Sequence, residues 1–556
     1  MRNKIILTLI LVIAFIFRVY KITTIPPSLN WDETSIGYNA YSILKTGRDE
    51  WGEFMPVHFK SFGEYKLPAQ IYASIPGVAI FGLNEFGIRI TPVVYGTLTV
   101  LLLYFLTREL FRKSPYSVHY TQPALLSLFT AFLLAVSPWH IQLTRGSFES
   151  SFSLFWFVMG TLLLIKGFNN KPKLLITSMI PFVISVYTYN TARVFTPMFL
   201  FIVYLLNIKY LLKNFKYLAF SFLAFLILAI PIIPFVLSGD ASARYKLVSI
   251  TDDKGLIPRI EERRNLSNLP PIITKLIHNR YTYNTYYFSK NYLAHFSPDF
   301  LFLKGAGHRQ HHVQGIGELY WVQAPFLLFG LYLLLKRKDE SLKILLPWLL
   351  LAFVPVSMTN DSIPNALRTL IAVPVYQIFT AVGIVEAWQI AKDKRRKTFL
   401  LLVVIVLFLI NFYLFATNLY TLYHIRYSKD WQYGNKQVVE YIKDYQDQYD
   451  LIVFTRHYGE PHIFTLFNLK YDPAKYQSSK NLERFETFDW VRVLRFDKYY
   501  FPDLGDEGTK YDDIVRDNPN KKILFIGKSS DFPEYVKILE RINFLNGEEA
   551  FEITSN

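Results

Sequence analysis

Long apolar runs separated by short basic stretches fill the first three-quarters of this 556-residue chain. A helix needs roughly 17–25 mostly apolar residues to cross a hydrocarbon core. Runs of that kind lie near 4–20, 91–108, 121–138, 151–168, 174–189, 194–211, 217–237, 320–335, 344–359, 370–391 and 398–418. They predict about eleven transmembrane helices. Charged residues make up 19% of the chain, against about 25% in an ordinary soluble protein. The deficit is concentrated in these runs, so the chain folds around lipid rather than around a water-exposed shell.

The formal net charge of +16 would suit a nucleic-acid partner, but its distribution points elsewhere. The cations gather in alternate loops: Arg108, Arg112 and Lys113; Lys166, Lys171 and Lys173; Lys209, Lys213 and Lys216; Lys336, Arg337, Lys338 and Lys343; Lys392, Lys394, Arg395, Arg396 and Lys397. These loops share a side with Arg2 and Lys4. The positive-inside rule places that side, and the N-terminus, in the cytoplasm. The expected partners are membrane lipids and no nucleic acid. Arg18 and Lys21 run against the rule. An odd span count puts the C-terminus outside, at the cell membrane's outer face. The chain has no cysteine, which excludes disulfides and thiolate chemistry.

Two domains are expected. Residues 1–419 form the membrane domain, with a first outer loop at 21–90 and a long outer loop at 238–319. Residues 420–556 form a small extracytoplasmic α/β domain. There, helical runs (434–445, 511–516, 534–541) alternate with β-rich runs (451–455, 492–496, 522–526, 551–554), and the alternation predicts a largely parallel sheet.

Chemistry-bearing residues concentrate at 26–68. Asp32 is placed to cap a helix running to about 45, with Gly47 as its stop. A less polar helix at 68–81 follows and is read as lying in the membrane interface. Asp32 and Glu33 have a plain reading as helix-start acids and a functional one, as a carboxylate that takes a proton from a hydroxyl acceptor. Lys66 can hold an anionic head group or simply snorkel. Arg145 is four residues from Glu149, so it can pair with it or stabilise a phosphate. In the long loop, His308 and Arg309 belong to a histidine-rich stretch (His295, His308, His311, His312) whose spacing matches no standard zinc motif. Arg368 opens the tenth span beside Asn365. Glu64 and His308 are the candidates for a divalent metal ion.

In order, Asp32-Glu33, the run Glu64-Tyr65-Lys66-Leu67-Pro68, Arg89, Arg145 with Glu149, the segment 295–320 and the tail motif Lys429-Asp430-Trp431-Gln432-Tyr433-Gly434 resemble membrane glycosyltransferases of the GT-C fold. The branch is that of the protein O-mannosyltransferases and the lipid A aminoarabinose transferase. The resemblance implies an inverting transfer of a sugar from a polyprenyl-phosphate carrier to a protein or glycolipid acceptor on the outer face. Asp32 would match the catalytic first-loop acid. Glu33, Glu64 and Lys66 would surround the phosphate or a metal, with Arg145, Arg309 and Arg368 as further phosphate contacts. The chain departs from the pattern in two places. An extra residue separates Glu64 from Lys66, and Asn365 stands where many relatives carry histidine; both weigh against a bound metal. The competing reading is a transporter or flippase of lipid-linked glycans, which would need charged residues and broken helices at the bilayer midplane.

Overall fold

The computed structural model of the chain describes residues 2–63, 65–112, 123–169, 171–237, 245, 248–390, 393–487, 490–505 and 507–556. Glu64, Lys113, Lys392 and much of the start of the 238–319 loop lie outside the described residues. The chain divides into two compact units. A helical unit comprises Met1–Arg18, Val94–Thr144 and Glu149–Phe415. A mixed unit comprises Val19–Val93, Arg145–Phe148 and Ala416–Asn556.

Among the described residues, most of each expected apolar run falls on helix. Among the described residues, five helices are long and apolar enough to cross a membrane: Glu85–Leu110, Glu149–Phe168, Phe215–Phe235, Ala366–Ile390 and Arg395–Arg426. Shorter apolar helices accompany them at Pro123–Ala135, Lys173–Val186, Asn190–Leu206 and Leu342–Ser357. The chain is a multi-pass membrane protein.

Ala366–Ile390 is 89% buried and Phe215–Phe235 only 17%, so the first is the centre of the helical unit and the second belongs to its rim. At the centre, the Gln323–Arg337 helix presses against Ala366–Ile390. A Cβ on Gly330 would stand 2.0 Å from the Phe379 carbonyl oxygen, and one on Gly383 would stand 1.8 Å from that of Phe326. Only glycine permits that backbone approach. Gln323 Nε2 donates to Gln377 Oε1 at 2.8 Å across the same contact.

The structure accounts for Arg18, one of the two topological exceptions. It ends α1 (Arg2–Val19) and is fully buried. Its Nη1 donates to the Ala14 and Ala135 carbonyls at 2.7 and 3.0 Å, and its Nη2 meets His140 Nδ1 at 2.6 Å. The Pro123–Ala135 helix ends here. Its C-terminal carbonyls carry the negative end of the helix dipole and need donors. The charge is thus a helix cap from a neighbouring element, and its place is set by packing rather than by the loop-charge rule.

In the mixed unit, α2 (Trp31–Thr46) and α3 (Pro68–Phe81) flank a short antiparallel ribbon of β1 (Phe59–Lys60) and β2 (Tyr65–Lys66), with Phe59 opposite Lys66. Gly47 ends α2 at φ 70°, the left-handed stop that its sequence predicts. The helix start differs from expectation: Asn30, not Asp32, is the N-cap. Its side chain accepts from the Glu33 amide at 2.9 Å, and the Glu33 carboxylate accepts from the Asn30 amide. Asn-x-x-Glu is the capping-box pattern.

The tail forms one seven-stranded sheet. Its strands are β3 (Leu451–Phe454), β4 (Glu483–Glu486), β5 (Val491–Phe496), β6 (Tyr499–Tyr500), β7 (Ile523–Gly527), β8 (Ile538–Asn543) and β9 (Glu549–Ser555), in the order β4-β5-β6-β3-β7-β9-β8. The expected largely parallel sheet is corrected: only β3 pairs in parallel, with β6 and β7, and every other pairing is antiparallel. The run at 534–541, expected to be helical, leads into the edge strand β8. Its mix of apolar and charged residues suits either structure, and pairing with β9 decides it.

Against a boundary at 420, the compact unit begins again at Ala416 and also takes in Val19–Val93. One core explains why. Ile36, Ile71 and Ile88 of the first loop share a buried cluster with Ile452, Phe467, Phe551 and Ile553 of the tail.

Replacing Arg18 with Met keeps the apolar stem but leaves the Ala135 carbonyl without its donor. The expected cost is about 1–3 kcal/mol for a buried acceptor left unpaired. It is read as a lower unfolding temperature of the detergent-solubilised protein.

Candidate active site

Adjacent positions on a helix point about 100° apart, and α2 uses this to separate its two acids. Glu33 turns inward and is fully buried. Arg89, equally buried on α4 (Glu85–Leu110), grips it with two bonds: Nε to Oε1 at 3.0 Å and Nη2 to Oε2 at 2.9 Å. The Ser147 amide adds a third bond to Oε1 at 2.8 Å. Arg89 also donates from Nη1 to the Ile22 and Pro26 carbonyls at 3.0 and 2.8 Å, and from Nη2 to that of Ser28. Its guanidinium lies over the Trp431 ring, 5.6 Å from the centroid.

Asp32 turns outward, with 41% of its side chain exposed. Its Oδ1 accepts from Lys66 Nζ at 2.5 Å, while the Lys66 side chain is only 2% exposed. A buried ammonium on a two-stranded ribbon therefore aims a half-open carboxylate at the first turn of a helix. This carboxylate is half exposed and held at one oxygen, beside aromatic side chains. Trp31, next to it, packs on Phe62 and Trp490. The Trp31 amide, an otherwise unmet donor of the helix start, is taken by Gln432 Oε1 at 2.8 Å.

Arg145 also belongs to this unit and is fully buried. Its Nη2 donates to the Tyr20 and Ile25 carbonyls, and its guanidinium faces Tyr420 at 5.1 Å. Burial pulls its pKa down to about 10, with Tyr420 opposing and Arg89 reinforcing the shift; it stays charged at neutral pH. In this geometry Arg145 fastens the chain before Pro26.

The remaining expected residues lie in the helical unit. Arg368 Nη2 is paired with Asp361 at 2.6 Å, and its Nη1 donates to Thr359 Oγ1 at 2.9 Å. Asn365 caps the short helix that carries Arg368. Arg309 is exposed. His308 stacks on His311 at 3.8 Å. Burial, with His308 and Arg368 adding to it, keeps His311 well below the ordinary imidazole range.

His312 behaves oppositely. Burial pulls it down, but Glu318 at 2.9 Å and the carbonyls of Ile316 and Lys304 outweigh that and raise it. These bonds fold the loop that contains the histidine-rich stretch.

The fit of a divalent metal was tested on the donor set. Asp32 already holds an ammonium and Glu33 a guanidinium, both cations that repel another. Glu64 is outside the described residues, and His308 faces a second imidazole. Among the described residues no three His, Cys, Asp or Glu side chains gather as a metal site. The described residues do not fit a metal at Asp32.

Residues 70–235 match the family model described as dolichyl-phosphate-mannose-protein mannosyltransferase. The crystal structure of ArnT from Cupriavidus metallidurans bound to undecaprenyl phosphate superposes with a TM-score of 0.54. The match covers 99% of this chain and 97% of that one, at 11% identity. This is the GT-C fold. The apo form of the same ArnT gives a TM-score of 0.52 at 9% identity, with the same coverage. The Archaeoglobus fulgidus oligosaccharyltransferase, tethered with an acceptor peptide, gives 0.48 at 16% identity, covering 80% of this chain. The chain spans 58% of that protein's length. No curated protein matches by sequence.

Within the GT-C fold, the residues that sequence reasoning missed are the supports. Asn30 was signalled by its spacing to Glu33. Gln432 carried no signal, because an amide that reaches a helix start some 400 positions away leaves no local pattern.

The structure separates the two acids energetically. Glu33→Gln should leave Arg89 buried without its counter-charge and cost about 3–5 kcal/mol, whereas Asp32→Asn, at a half-exposed carboxylate whose amide replacement can still accept from the buried Lys66, should cost less than that. Thermal unfolding of the two variants checks this. A raised histidine stabilises the fold below the unfolded-state value, near 6.5, and that stabilisation is lost as pH rises through the folded value. Hydrogen-exchange protection of the 304–318 loop should therefore fall with rising alkalinity, and His312→Gln should remove the dependence.

Proposed function

We propose that this protein is an inverting glycosyltransferase. It moves a sugar from a polyprenyl-phosphate carrier to a protein or glycolipid hydroxyl or amine on the outer face of the cytoplasmic membrane. The observation that carries this reading is the half-exposed Asp32 carboxylate, bonded to the buried Lys66 and standing on the buried Glu33–Arg89 pair. A general base must be positioned before it is useful, and the way Asp32 is held supports that role for it. The ArnT bound to undecaprenyl phosphate supports a carrier of that class.

In the proposed step, Asp32 takes the acceptor's proton as its oxygen or nitrogen attacks the anomeric carbon. The bond from that carbon to the phosphate oxygen breaks, and its electron pair leaves with the carrier phosphate. Attack opposite the leaving group inverts the configuration. Lys66 orients the carboxylate beforehand. As the incoming proton neutralises Asp32, the ammonium retains its charge for the departing phosphate. Glu33 acts through position rather than by proton transfer. Arg309 and Arg368 are proposed as donor-phosphate contacts on charge, while Arg145 is reassigned to fastening the loop. No step is routed through a metal. The eleven-span topology, cytoplasmic N-terminus and outer C-terminus are part of this proposal. The flippase alternative gains no support from Arg18, whose charge is spent on helix-end carbonyls.

Asp32→Asn should lower transfer by about 10²–10⁴-fold, the usual worth of a general base, with lipid-linked donor still bound. Turnover is measured with a polyprenyl-phosphate sugar and no nucleotide sugar. Retained turnover in the variant, or strict dependence on a nucleotide sugar, would overturn the assignment.

A further inference from the structure

The helical unit contains an apolar cleft that sugar transfer at Asp32 does not use. Its empty space is about 750 Å³. Phe132, Phe326, Ile384, Trp388, Val404 and Phe408 line it, drawn from four helices: Pro123–Ala135, Gln323–Arg337, Val373–Ile390 and Lys394–Thr417. The last of these is barely covered by protein, with 12% of its apolar window buried. A wholly apolar cleft beside a lipid-facing helix has no use for water and takes a hydrocarbon chain.

Two features at one end say more about the occupant. Trp388 stands in the last turn of Val373–Ile390, and Leu401 lies about two turns beyond Lys394. Both line the cleft, and Lys397 stands one turn before Leu401 on the same helix, so this end of the cleft lies beside cations. There Glu386 answers Arg337 and Asp393 answers Arg396. Lys336, Lys338, Arg395 and Lys397 add further positive charge. The second feature is the Trp388 indole Nε1, which is buried and has no hydrogen-bond partner among the described residues. A buried indole N–H ordinarily finds an acceptor. Here it sits where hydrocarbon gives way to cations.

A chain, then an acceptor, then an anion is the order of groups in an anionic glycerophospholipid. We propose that this cleft binds one. An acyl chain fills the apolar cleft, a glycerol ester carbonyl accepts from Trp388 Nε1, and the head-group phosphate rests on Arg395 and Lys397. The site is a lipid site in the helical unit, separate in residues from Asp32 and Lys66. Its occupant stabilises the seam between Val373–Ile390 and the poorly covered Lys394–Thr417.

The test uses full-length protein, delipidated in detergent and read by native mass spectrometry with phosphatidylglycerol and phosphatidylcholine as probes. Phosphatidylglycerol should bind more tightly, by about fivefold for each cation engaged. Arg395→Gln with Lys397→Gln should reduce it to the phosphatidylcholine level. Trp388→Phe, which keeps the ring and loses the donor, should weaken both lipids. Val404→Trp should fill the cleft and abolish both. Equal binding of the two lipids by wild-type protein would overturn the proposal, as would full phosphatidylglycerol binding by Val404→Trp. Displacement of phosphatidylglycerol by an equal concentration of polyprenyl phosphate would assign the cleft to that lipid instead. If Val404→Trp does not fold, indifference of binding to Trp388→Phe and to the double charge variant overturns it equally.

Discussion

The buried pair of Glu33 and Arg89 is the interaction on which the mixed unit depends. Removing two charges from water costs several kcal/mol per ion even after relaxation. That cost is offset only where geometry is good and the remaining donors are met. Here the guanidinium binds both carboxylate oxygens and the carbonyls of Ile22, Pro26 and Ser28. The carboxylate also accepts from Ser147 and Asn30. The pair therefore fixes one arrangement of four chain segments: the entry loop, the start of α2, α4 and the Arg145–Phe148 link. Swapping it for apolar residues could preserve stability but would lose that register.

What the register does is place Asp32. A carboxylate on a free loop would sample many positions. This one is at the second position of a helix whose first turn is tied by Asn30, Glu33 and Gln432. Lys66 reaches it from a two-stranded ribbon in which Phe59 stands opposite it. The tail contributes the Gln432 bond and the Trp490 wall beside Trp31. Its sheet and the first loop share one hydrophobic core, so a soluble-looking segment at the end of the chain is part of the mount for a residue near its beginning.

The glycine contact between Gly330 and Gly383 does the same for the helical unit. Dispersion and close packing, rather than water exclusion, hold helices together in lipid. At the basic end of those helices Arg337 answers to Glu386, and Arg18 answers to carbonyls inside. Both are cations, yet they obey different constraints, and loop counting treats them alike.

Much of this protein was legible from residue order. Apolar run length marked where helices form, five of them among the described residues long and apolar enough to cross a membrane, because hydrocarbon thickness sets the length required. Gly47 and Pro68 marked the end of one helix and the start of the next, because backbone sterics are local. Of the expected residues the structure brings Asp32 and Lys66 together, while the different surroundings of Asp32 and Glu33 were not separable from two adjacent letters. Only the tertiary structure turned one inward to a guanidinium and the other outward to a lysine. It also gave the cap to Asn30, drew the tail into the first loop's core, and made the sheet mixed. The Asn30 cap is local, three residues from Glu33; the other three share one physical reason. Local propensity acts within a few residues, whereas burial of charge and pairing of strands are settled by partners that can lie hundreds of positions away.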